Sequence, residues 1–309
     1  MFRKALSFLL VLSVIFGVSK YNRTNEFDRL DYEVLASNCN DCNYQSHYSV
    51  DNVPTIINLE TGDYEQISFE EYAHTHSAVK LENNDFIYVV TDYNGGYWVL
   101  RVSEEEVVAQ VSIKNIPTEV YAYMDTVVLC YSEGDVSTLY AVDFSNETEQ
   151  LLIQNIATSQ YKSVFVSDNK VLYRLYSENS NTIWNIYENG NTSSFKHEGL
   201  CVGLIENSAI FYKKISDIFI FNDFSSLYEI GKFEKYNIVN DTSDFIRFSI
   251  LYGTVVENFT VLNNEQIIVY SHNDKSGGQK HTVLNFETGE RQNLNLKSGY
   301  YKINTVVTK

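Results

Sequence analysis

The chain of 309 residues has none of the common catalytic signatures. It contains no GxSxG elbow, no HExxH pair, no Walker A loop, no GxGxxG after a strand and no DxDxDG calcium spacing, which sets aside the enzyme classes those motifs mark. Carboxylates are plentiful, with 40 Asp and Glu. Sequence alone singles out no acid/base pair for glycoside hydrolysis, because such pairs are defined by separation in space. Clusters of Lys and Arg are also missing, and 23 basic residues against 40 acidic ones leave a net charge of −17. A phosphate backbone is met by grouped cations, so nucleic acid is not an expected partner, and neither is an anionic membrane surface. Acidity of this size leaves solubility, cationic ligands and neutral sugars equally open.

Cysteine is scarce, with four residues that fall into two kinds. Cys39 and Cys42 form a CNDC pair in a polar segment, whereas Cys130 (VVLCY) and Cys201 (GLCVGL) sit singly in apolar runs and read as buried core. A zinc site would need a second paired set of ligands, and a thioredoxin-like pair would need a βαβ context. Neither is visible, so a short local disulfide or two free thiols is expected at Cys39 and Cys42, and no metal or cofactor is expected.

There is only one long hydrophobic run, from Ala5 to Val18, preceded by Arg3 and Lys4 and followed by polar sequence from Ser19. It is shorter than the roughly 20 residues that span a bilayer. The layout is that of a secretory signal peptide over residues 1–19, and Gly17 and Ser19 are the small residues that place cleavage after Ser19. No cysteine follows closely enough for a lipid anchor, and an uncleaved N-terminal anchor is the alternative. The expected location is secreted or cell surface. Residues 20–43 read as a spacer carrying one short helix, with Phe27, Leu30, Val34 and Leu35 on a face, and residues 44–309 as a single domain.

Beyond the spacer, helical periodicity nearly vanishes. Tyr, Phe, Val, Ile and Thr recur in short runs broken by Asn, Asp, Gly and Ser, which is strand and turn chemistry. The runs repeat as VKLENNDFIYVV from Val79, YAYMDTVVLCY from Tyr121, VFVSDNKVLYRLY from Val164, VGLIENSAIFY from Val202 and FTVLNNEQIIVY from Phe259. Aligned on Asn83, Asp125, Asp168, Glu206 and Asn263, they step by 42, 43, 38 and 57 residues. A second hairpin set, anchored at Asn58, Arg101, Asp143, Tyr187, Asn222 and Asn285, steps by 43, 42, 44, 35 and 63. A period near 40 to 45 residues holding four short strands is what a propeller blade requires.

The expected fold is therefore all-β, a β-propeller of about six four-stranded antiparallel blades, with a seventh as the alternative. The hairpins NLETG and NFETG match the "strand, Asp/Asn-x-x-Thr-Gly, strand" unit, and the repeat from about residue 44 to 308 resembles the broad TolB-like and quinoprotein-like propeller group. Trp-Asp, kelch and NHL marks are not found. Residues Tyr44 to Phe69 hold room for only three strands and GYYKINTVV at Gly299 to Val307 is a strand left over, so the C-terminal strand is expected to complete the first blade and close the ring. The long step leaves residues 235–256 as an expected insertion before the last blade.

In an up-and-down meander of strands A to D, the D-to-A and B-to-C connections share one face of the ring. On that map His74 and His76 fall in a D-to-A connection, His197 in another, and His272 and His281 bracket the B-to-C loop SHNDKSGGQKH. The same face receives DYNGGYW, with Tyr93, Tyr97 and Trp98 beside Asp92, Asn94, Gly95 and Gly96. Trp98 is expected to turn into the blade. Loops held on a rigid scaffold are where ligands are met, so the candidate binding residues are Tyr93, Tyr97, His74, His76, His272 and His281. The expected function is exported, non-catalytic binding of a protein, peptide or glycan at this face. The alternatives are a secreted carbohydrate hydrolase or lyase, using carboxylates such as Asp92, Asp217 or Asp274, and a structural scaffold of a cell-surface assembly. Asn-x-Ser/Thr occurs at Asn22, Asn146, Asn191, Asn240 and Asn258, as chance allows in so Asn-rich a chain.

Overall fold

A computed structural model describes residues 33–38, 54–67, 69–158, 163–167, 169–176, 183–219, 226–251, 254–263, 265–273, 279–285, 288, 290–294, 296 and 301–308. The expected signal peptide, the CNDC pair and Asp274 lie outside the described residues. Six four-stranded antiparallel sheets follow one another. Blade one is β1 (Glu33–Asn38), β2 (Pro54–Asn58) and β3 (Tyr64–Gln66) with the last strand of the chain, β24 (Tyr301–Thr308), on its inner edge. Blade two is β4 (His74–Lys80), β5 (Phe86–Thr91), β6 (Tyr97–Ser103) and β7 (Glu106–Ile113). Blade three is β8 (Glu119–Tyr123), β9 (Thr126–Glu133), β10 (Val136–Asp143) and β11 (Thr148–Ala157), and blade four is β12 (Val164–Ser167), β13 (Lys170–Tyr173), β14 (Ile183–Glu188) and β15 (Asn191–Lys196). Blade five is β16 (Leu200–Ile205), β17 (Ser208–Phe219), β18 (Ser226–Asn237) and β19 (Thr242–Leu251), and blade six is β20 (Thr254–Val261), β21 (Gln266–Asn273), β22 (Gln279–Asn285) and β23 (Arg291–Leu294).

The inner strands lie side by side in the order β24, β4, β8, β12, β16, β20, and β20 meets β24 again, so the ring is closed. Closure is made by β24 on β1, where Ser37 pairs with Lys302 and Ala36 with Ile303. Inner strands such as β5 and β9 are buried on both faces, which explains why they read as continuous apolar runs rather than strict alternation. In β9, Val127 and Leu129 pack with Val79 and Ile87 of blade two, while Val128 and Cys130 pack with Val164 and Val171 of blade four. Successive residues point to opposite faces of a strand, so one VVLC run fills two interfaces. Cys130 and Cys201 are both buried, and the Cys201 thiol donates to the Gly203 carbonyl at 3.5 Å.

Turn chemistry sets the period. The third strand of a blade ends on Asn58, Asp143, Asn237 and Asn285 in blades one, three, five and six. Each of these side chains accepts from the backbone N–H three residues on: Thr61, Asn146, Asn240 and Thr288. Such Asx turns reverse the chain without help from the sheet.

Two expectations need correction. Residues 235–256 are not an insertion: they are the end of β18, all of β19 and the start of β20. The counterpart of Asn285 is Asn237, at the end of β18, and Asn222 lies outside the described residues. The extra length belongs to blade five itself, whose β17 and β18 run for 12 residues each. Within the expected spacer, Val34 and Leu35 lie in strand β1 rather than on a helix, with Val34 and Ala36 buried against Ile57, Ile268 and Val283.

The two faces of the ring differ in charge. Among the described residues, the A-to-B and C-to-D turns hold twelve Asp or Glu, such as Glu104, Glu105, Asp125 and Glu147, and no Lys or Arg. Among the described residues, the turn face is thus the more acidic of the two.

Candidate functional site

Among the described residues, the best-built part of the connection face is the mouth of blade two. Asp92 follows β5 and organises its loop. Its Oδ1 accepts from the backbone N–H of Asn94 and of Gly96, both at 2.8 Å, and its Oδ2 from the indole N–H of Trp98 at 2.9 Å. Gly95 takes φ +85°, a left-handed conformation that glycine adopts without strain. At Gly96 a Cβ would stand 2.7 Å from Asp92 Oδ2, so the closed loop admits no side chain there. Trp98 packs on the apolar cluster between blades one and two, as expected.

This wiring pushes Tyr93 outward. Its side chain is 73% exposed, yet its hydroxyl donates to the Glu70 carbonyl at 3.0 Å, so the B-to-C loop is tied to the preceding D-to-A connection. A second tie is the Ala73 N–H donating to the Thr91 carbonyl, and a third joins His76 Nε2 and Thr91 Oγ1 at 2.5 Å. His76 sits where the β4–β5 register slips, a bulge that turns its ring toward Thr91. Burial, and then the neighbouring His74, push its pKa below the ordinary imidazole value, so it is neutral at pH 7. The His74 and His76 rings are 6.3 Å apart, and among the described residues no three His, Cys, Asp or Glu side chains are grouped to hold a metal.

The six candidate residues do not all converge. Tyr93, His74 and His76 share the mouth of blade two. Tyr97 is half-buried against the cluster between blades two and three, where it packs. His281 is buried within β22, opposite Tyr270 and Leu294, rather than at a loop. His272 lies in β21 of blade six, on the far side of blade one from Tyr93. Asp217 pairs with Glu229 in the β17–β18 ladder. His197 is not an open ligand either: it stacks on Phe211 at 3.6 Å and its Nε2 lies 3.2 Å from Glu234 Oε1. On the acidic face, a depression of about 250 Å³ between blades four and five has its polar groups already matched, Lys170 Nζ lying 3.3 Å from Glu188 and 2.9 Å from Asn207.

Asp92 accepts too many hydrogen bonds to serve as a proton donor. The Trp98 indole first, then the Gly96 N–H, hold its pKa below the usual carboxylate value of 3.8. A depressed folded pKa means that the loop's support is present above 3.8 and is lost as pH falls through the folded value. Tryptophan emission should therefore stay constant from pH 7 to about 4 and shift only below it. Asp92→Ala should show the shifted spectrum already at pH 7. Identical spectra for the two proteins at pH 7 would contradict this role.

A closed ring of six meander blades defines a β-propeller, with one face carrying pinned connections and the other short acidic turns. By structure the chain is similar to TolB from Acinetobacter baumannii, with a TM-score of 0.60, 10% identity, and coverage of 91% of this chain and 68% of that one. A candidate 6-phosphogluconolactonase from Bacteroides fragilis aligns over 91% of this chain and 99% of that one, with 11% identity and a TM-score of 0.41. No family model matches the sequence, and no curated protein matches it.

Proposed function

We propose that this is an exported binding propeller that meets a protein, peptide or glycan through its D-to-A and B-to-C connections, at the mouth of blade two. The observation that carries the reading is Tyr93, an aromatic ring held out to solvent on a loop locked from within by Asp92 and from the side by Glu70. An aromatic whose loop is already ordered loses little entropy on binding, and rings of this kind commonly anchor interfaces. His74 and His76 add polar contact beside it.

Peptide and glycan arrays probed with the purified protein, followed by titration of the best hit, test the proposal. Tyr93→Ala should weaken that hit by at least about tenfold while changing stability by less than about 0.5 kcal/mol. Equal affinity of the variant and the parent protein would remove the mouth of blade two as the binding site.

A further inference from the structure

The turn after the third strand is written alike in blades one, three, five and six, and one position in it departs from the rest. Each turn opens on Asn58, Asp143, Asn237 or Asn285, and the following residue, Leu59, Phe144, Ile238 or Phe286, is apolar every time. The next position is Glu60, Ser145 and Glu287 in blades one, three and six, the polar chemistry of a turn tip. In blade five it is Val239. That valine is 73% exposed, which with Tyr93 makes it the most exposed large apolar side chain among the described residues.

The turn that carries Val239 is ordered from several sides. Asn237 Oδ1 accepts from the N–H groups of Val239 and Asn240, both at 3.0 Å, and the Tyr236 hydroxyl donates to the Asp241 carboxylate at 2.9 Å. The Ile238 N–H donates to the Asn207 carbonyl at 2.9 Å, which ties this turn to the β16–β17 turn of the same blade. Val239 is thus held out on a backbone that is already fixed, so little ordering is left to a binding event.

Val239 lines the depression of about 250 Å³ between blades four and five. Its apolar lining runs from the buried Ile186 through the half-buried Ile238 to the exposed Val239. Lys170 is engaged by Glu188 and Asn207, and Glu188 also accepts from Asn169 Nδ2 at 3.1 Å. With these polar groups spent on one another, apolar contact is what the depression offers. Its volume falls below the about 300–1,000 Å³ of small-molecule pockets, so it suits a single side chain rather than a cofactor.

Charge selects what carries that side chain. Glu188 lines the depression, Glu206 and Asp241 stand in the turns that flank it, and the turns of this face carry no Lys or Arg among the described residues. A second copy of the chain would bring its own net charge of −17 to this surface. A basic segment meets it with the opposite sign.

We propose that the depression between blades four and five, on the turn face, docks one large apolar side chain, Leu or Phe, flanked by Lys or Arg in an extended segment of a protein partner. This surface lies on the face opposite the mouth of blade two and is independent of it.

Fluorescence anisotropy of the full chain with labelled peptides carrying a central Leu between lysines tests the proposal. Changing the central Leu to Ala should weaken binding by at least about tenfold. Glu in place of the lysines should abolish binding at low salt, and added salt should weaken the lysine peptide. Val239→Glu, which gives blade five the residue of blades one and six, should reduce the Leu peptide to the affinity of the Ala peptide, although it adds a negative charge. Its melting temperature should stay within about 2 °C of the parent. Ser193→Trp, which fills the depression from β15, should cause the same loss, whereas Tyr93→Ala should cause none. Equal affinity for the Leu and Ala peptides, or unchanged binding by Val239→Glu and Ser193→Trp, would overturn the proposal. A parent dimer in sedimentation velocity that Val239→Glu dissociates would also overturn it, by making a second copy the occupant.

Discussion

A chain cut after residue 300 is expected to lose its cooperative thermal transition. Without β24, the inner edge of β1 has no partner, and β4 and β20 lose the strand that lies between them. The cluster of Val34, Ala36 and Ile57 with Ile268 and Val283 would then stand at the open end of a broken ring. Folded domains are stable by only about 5–15 kcal/mol, and exposing a strand edge together with an interblade cluster costs a large part of that. Differential scanning calorimetry of the truncated chain should show a broad transition or none, and size-exclusion chromatography should show association through the open edge. Adding a synthetic peptide of residues 299–309 should restore the sharp transition. An unaltered melt for the truncated chain would mean that the ring is held by something other than this strand.

Phe211→Ala is expected to be the most damaging single core substitution between blades four and five. The ring is 1% exposed and lies 3.6 Å from His197, 5.7 Å from Trp184 and 6.4 Å from both Phe195 and Tyr236, centroid to centroid. Truncating such a side chain removes its transfer energy and leaves a cavity bounded by rings that cannot collapse into it, for a cost of about 3–5 kcal/mol. The melting temperature should fall by roughly 10 °C, with Phe211→Leu falling much less. A loss below about 1 kcal/mol would show that the two blades repack freely.

How much of this was legible beforehand depended on whether the signal was local. The hairpins were, because an Asx turn such as that of Asp143 is written within four residues, and their spacing revealed the blades. The C-terminal strand was recognised by its lack of a local partner. Its true neighbour β1 was not, since Val34 to Ala36 has no adjacent hairpin and its pairing to Lys302 and Ile303 lies at the other end of the chain. Blade five is misleading for a related reason: its β17 and β18 are long, so the spacing of the hairpins points to Asn222 where the end of the third strand is Asn237.

At the candidate site, topology placed Tyr93, His74 and His76 on one face because connections between strands can be assigned to faces without coordinates. His281 and Tyr97 stand beside their B-to-C connections but turn inward, because the direction of a side chain near a strand end is set by tertiary packing.

The one-sidedness of the turn acids also governs how two such molecules can meet. Copies approaching with their acidic turns facing would begin to repel at about 10 Å in 0.1 M salt, long before any side chain touches. Collisions that last will therefore be those in which at least one molecule leads with its connections. In crowded solution this biases the ring to present Tyr93 and its neighbours, much as a weighted float keeps one side up.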